Sequence, residues 1–234
     1  MSSEILTETF FSIGQEKISF CIFEGIDKKI FEKNILISSS YQKENLDYTI
    51  DKFFDENIVK IEKKIDKFIN NINLIISDAN FILIQASIKK NMSGNKINKK
   101  DLIHLLFDLK QKIKENNRDK KITQMRINSF IVDKKKCSTL DDNFECNELC
   151  LQVDFVCLSN IIIQELSEKM RKYQISIDRI FSAEYLKEHY NKFDQNECKN
   201  AARLKYENDE NEVFLIKKNT EKKGFFERFF NFFN

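Results

Sequence analysis

An α+β fold is predicted by three observations. Short apolar runs of strand character recur along the chain, two longer segments repeat apolar residues with a period near 3.6, and 41% hydrophobic content over 234 residues is enough for one large core or two modest ones. Positive and negative side chains nearly cancel, leaving a net charge of +2, so no basic face is forced and nucleic acid is not an expected partner.

The first forty residues read as a meander of three strands, "TFFSIG", "KISFCIFE" and "KIFEKNILIS", with Gly14, Gln15 and Glu16 supplying the first turn. In the middle strand Ile18, Phe20 and Ile22 point one way and Cys21 and Phe23 the other, so both faces are expected to be buried. Leu46, Ile50, Phe53, Phe54, Ile58, Ile61, Ile65, Phe68, Ile69 and Ile72 then mark a long amphipathic helix. "NLIISDANFILIQASIKK" reads as a hairpin turned by Ser77, Asp78, Ala79 and Asn80.

A second unit starts near there. The helix in "SGNKINKKDLIHLLFDLKQKIKENN" presents Leu102, Leu105, Leu106, Leu109 and Ile113, with His104 beside the stripe as a solvated or packed histidine. "KITQMRINSFIVD" and "LCLQVDFVCL" alternate as strands around a charged loop, residues 134–147. The helix "NIIIQELSEKMRKY" and the strand "QISIDRIFS" complete an order of strand, helix, strand, strand, helix, strand, expected to form a sheet with two helices on one face. After Ala183 the charged, Asn-rich composition predicts a short helix and a flexible tether.

Met1 to Thr9 is polar and acidic, unlike a secretory leader, so the chain is expected in the cytoplasm and its six cysteines as reduced thiols. Cys146 and Cys150 have the spacing of a partial zinc site, with buried thiols the favoured alternative. No run of 18 apolar residues exists, which excludes an ordinary transmembrane helix.

The order of these segments resembles the bacterial cell-division protein FtsA, an actin-like family. Ser93, Gly94, Ile97 and Asp101 fall where that family has a small-Gly turn, a hydrophobic residue and a helix-opening Asp; Phe130 and Asp133 follow on the next strand, and Ser182 and Ala183 close the last one. "FFSIGQEKISFCIFE" would be the first hairpin of the actin-like subdomain. The resemblance implies a partial actin-like (ribonuclease H-like) 1A subdomain at 1–79, an SHS2-type 1C subdomain at 80–183, a flexible linker at 184–220 and an amphipathic membrane-targeting helix at 221–234.

Departures from the family pattern bear on chemistry. Ser12 stands where the family has an Asp that organises metal and water, and Gln15 where it has a small hydroxyl residue, while the 2A and 2B subdomains have no counterpart. The expectation is therefore a non-catalytic chain with no cofactor, ATP included, and with no metal. A degenerate nucleotide phosphotransferase and a soluble, pilus-assembly-type interaction module are the alternatives. Expected partners are cell-division proteins and further copies of the chain; FtsZ would lack its usual binding subdomain.

Six phenylalanines close the sequence. On a helix Phe225, Phe226, Phe229, Phe230, Phe232 and Phe233 fill an arc of roughly 160°, with Glu227, Arg228, Asn231 and Asn234 opposite. Thirteen residues span about 20 Å, short of a hydrocarbon layer about 30 Å thick, so the peptide would lie flat. Half-burying six rings is worth roughly 15 kcal/mol gross, offset by a comparable ordering cost, which predicts reversible binding. Lys222, Lys223 and Arg228 add attraction to anionic headgroups. The same stripe could instead dock on the chain's own core or in a partner's groove, but the preceding tether, its terminal position and its basic flank favour the cytoplasmic face of the inner membrane at the division site.

Overall fold

A computed structural model describes residues 7–14, 16–37, 43–77, 81–140, 145–190, 196–207 and 211–213. In chain order the strands and helices are β1 (Thr7–Ile13), β2 (Lys17–Glu24), β3 (Lys28–Leu36), α1 (Lys43–Ile65), β4 (Asn71–Ile76), β5 (Phe81–Asn91) and α2 (Lys99–Asn116). There follow β6 (Lys120–Val132), β7 (Lys135–Cys137), β8 (Glu148–Ser159), α3 (Asn160–Arg171), β9 (Ser176–Ser182), α4 (Ala183–Tyr190) and α5 (Glu197–Tyr206). The described residues divide into two compact units, one falling within 1–79 and 161–208, the other within 80–160 and from 209 onward.

The first unit holds a five-stranded sheet in the order β3-β2-β1-β4-β9. β2 runs antiparallel to β1 and β3, whereas β1, β4 and β9 are mutually parallel. Every residue of β2 from Ile18 to Phe23 is buried, as its unbroken apolar run predicts. On one face Phe11 and Phe20 meet Phe53 and Phe54 of α1, and Phe54 stacks on Tyr173 with ring centroids 4.9 Å apart. On the other face α5 packs on β1, β2 and β4, so the unit has three layers.

The second unit is an antiparallel four-stranded sheet, β5-β8-β6-β7. Leu105, Leu106, Leu109 and Ile113 of α2 close its core over Met125, Phe130, Leu151 and Phe155. Residues 211–213 return to this unit: Ile127 N–H donates to the Asn211 carbonyl at 2.8 Å and Val213 N–H to the Met125 carbonyl at 2.9 Å. Glu212, 3% exposed, pairs with Arg126 at 2.9 Å, and Val213 joins the core.

Four expectations change. Helix α1 ends at Ile65, because Asp66 turns left-handed at φ 53°; Phe68 is solvent-exposed and Ile72 lies on β4. β4 and β5 belong to different sheets and form no hairpin. The boundary at 80–183 moves, since α3 falls with the first unit and β9 pairs with β4, leaving α2 as the helix on the second sheet. Across the expected linker 184–220, the helices α4, from Ala183, and α5 are packed and bury Tyr185, Leu186, Cys198, Ala201, Ala202 and Leu204.

Candidate interaction site

The nine tail residues singled out from sequence, Lys222, Lys223, Phe225, Phe226, Arg228, Phe229, Phe230, Phe232 and Phe233, lie outside the described residues, as does Gln15. The other residues carried by the resemblance are placed, and each has a structural task. Gly14 N–H donates to the Lys17 carbonyl at 2.9 Å, and a Cβ there would sit 3.1 Å from that same oxygen. Gly94, at φ +78°, turns the chain so that its N–H reaches the Cys146 carbonyl at 3.0 Å. Ile97 is buried, and Asn98 with Asp101 forms a reciprocal capping box on α2. Burial opposes ionisation of Asp101, but the Lys90 ammonium at 2.6 Å and the Asn98 N–H outweigh it and hold the carboxyl below its ordinary value. Asp133 Oδ1 accepts from the N–H groups of Asn147 and Glu148, and Phe130 is core. Ser182 Oγ accepts from Tyr185 N–H, opening α4.

Several polar groups of the first unit gather where α5 meets the sheet. Ser12, 2% exposed, donates its hydroxyl to Glu197 Oε2 at 2.6 Å. Lys205 Nζ reaches Glu8 Oε2 at 2.6 Å and Asp178 Oδ2 at 3.1 Å, and Asn73 also donates to Glu8. Asn196 caps α5 by accepting from the N–H groups of Cys198 and Lys199. Burial pushes the Tyr206 phenol up, and the neighbouring Glu8 carboxylate adds to it. A hydrogen bond to Cys21 and then burial push the Cys198 thiol well above its ordinary value. Chemically these are ties: the Ser12 hydroxyl, the Cys198 thiol and the Lys205 ammonium meet fixed partners that hold a helix on a sheet.

The short helix expected after Ala183 is α4, whereas sequence reading missed α5 because its buried residues are mostly small or polar. Asn196 before Cys198, Ala201, Ala202 and Leu204 was the available signal, a cap followed by helical spacing. His104 is exposed, and among the described residues no group of three His, Cys, Asp or Glu side chains could hold a metal ion. No helix among the described residues is long and apolar enough to cross a membrane.

The chain matches no family model, and no curated protein matches its sequence. It is similar to solved structures of low identity. One is a Bacteroides thetaiotaomicron protein of unknown function with an actin-like ATPase fold, at 15% identity and a TM-score of 0.33, matched over 80% of this chain and 56% of that one. A second is the cytoplasmic domain of EpsL, an inner membrane component of the Vibrio cholerae type II secretion system, at 10% identity and 0.34, over 77% and 59%. A third is the PilM-PilN type IV pilus biogenesis complex, at 9% identity and 0.42, over 78% and 49%. The chain thus spans between about half and three-fifths of the solved chains it matches.

Proposed function

We propose that this chain is a non-catalytic interaction protein of the FtsA type, a membrane-associated adaptor in which two folded units present protein-binding surfaces and the phenylalanine-rich peptide holds them at an anionic lipid surface. The observation that carries this reading is the cover over β1: α5 lies on the sheet face bearing Ser12, and the Ser12 hydroxyl is committed to Glu197. This arrangement supports a face that takes no ATP. A phosphate addressed from Ser12 would meet the Glu197 carboxylate 2.6 Å from the hydroxyl, a like-charge contact in a buried setting. The return of the chain to the first unit after residue 160 supports the pairing of a 1A-like and a 1C-like, SHS2-type subdomain. Division-machinery partners and a division-site location follow from the FtsA reading.

Co-sedimentation with vesicles containing anionic lipid tests the membrane part. The full chain should pellet and a chain ending at Thr220 should stay in the supernatant, with binding weakened by salt. Equal pelleting of the two would move the tail to a protein groove and favour the soluble interaction module. Titration with ATP and Mg²⁺ tests the other part: no saturable heat is expected, and micromolar affinity would restore a nucleotide enzyme.

A further inference from the structure

The edge of the second unit's sheet lacks the protection that exposed strands carry. β5 is the terminal strand on its side, eleven residues long, and among the described residues no strand pairs with its outer edge. Its first eight residues, Phe81 to Ile88, contain no charge. Ile82 is 44% exposed and Leu83 55%. On the covered face Ile84, Ala86 and Ile88 reach the core yet remain only partly buried, so the hydrophobic layer runs off the edge unfinished. By contrast β3, one of the two outer strands of the other sheet, carries Lys28, Lys29, Glu32 and Lys33. Charged, interrupted edges are the usual guard against strand addition, and β5 has none along most of its length.

We propose that β5 is a dimer edge, pairing antiparallel with β5 of a second copy across a two-fold axis to join the two sheets into one. An axis perpendicular to the sheet keeps the covered faces together, so opposed residues must share a face. Centring the axis on Gln85 sets Ile82 against Ile88 of the second copy, Ile84 against Ala86, Leu83 against Ser87 and Phe81 against the aliphatic stem of Lys89. Each pair occurs twice, and no like charges are opposed. This self-complementarity selects a second copy as the occupant over an unrelated peptide. The contact is isologous and closes at two chains.

Sedimentation of the full chain across the micromolar range should give twice the mass of one chain, and Leu83→Lys should weaken the dimer about tenfold or more by placing a charge on the open edge. Leu83 is exposed, so at concentrations low enough to dissociate both dimers the unfolding midpoint of the single chain should stay unchanged. With the half-exposed Cys137 and Cys150 replaced by Ser, Gln85→Cys places two thiols on the axis, their Cα atoms about 4.5–5.5 Å apart, within disulfide range. Mild oxidation should link that variant into a dimer, whereas Ser87→Cys should link only when mixed with Leu83→Cys. A single-chain mass throughout, an association that Leu83→Lys leaves intact, or linking of Ser87→Cys alone as readily as Gln85→Cys would each overturn the proposal.

Discussion

Six cysteines divide by environment, and that division is measurable. Cys21, Cys146, Cys157 and Cys198 are buried, while Cys137 and Cys150 are partly exposed. Burial pushes the Cys157 thiol from its ordinary 9.0 up to about 11. The folded state therefore holds this proton more tightly than the unfolded chain does, so its contribution is present below pH about 9 and declines as pH rises towards about 11. Urea unfolding at a series of pH values should show stability falling through that window. Cys157→Ala should be less stable at neutral pH, from the cavity it leaves, but with a shallower alkaline slope; an unchanged slope would contradict the assignment.

At the level of elements, the segment from Ala183 to Tyr206 separates what composition says from what packing does. Limited trypsin digestion should spare Lys187, Lys199, Arg203 and Lys205, because α4 and α5 are ordered and lie on a core; a flexible linker would be cut there first. The same contrast explains what the sequence made legible. The apolar run of β2 and the leucine stripe of α2 were readable because large side chains recur at the period of their element. The end of α1 was not, since Phe68, Ile69 and Ile72 continue the helical spacing while the backbone leaves the helix at Asp66. Nor was β7, a three-residue strand of sequence KKC inside a charged loop, formed by pairing with Phe130 to Val132. Of the candidate site, the ties of Ser12 and Lys205 needed tertiary contacts 185 and 197 residues apart, which no local pattern records.

For the whole molecule, continuity of chain and continuity of structure do not coincide. The sheet of the first unit needs β9, which is contributed after all the strands and the helix of the second unit have been threaded. A chain stopped at Ile175 would leave the edge of β4 bare and lack α5 over the other strands, so it should lose the aromatic core's near-ultraviolet dichroism and aggregate. A chain stopped at Thr220 keeps β9, α5 and residues 211–213, and should unfold as the full chain does. Similar solubility and spectra for both truncations would contradict this account.

That threading also sets an order for biosynthesis. Translation delivers the strands and helix of the inner unit as one uninterrupted stretch, able to condense soon after leaving the ribosome, whereas the outer sheet must wait with β1 to β4 half assembled until β9 emerges a hundred residues behind β4. Until then its phenylalanines are the part of the nascent chain most in need of a chaperone.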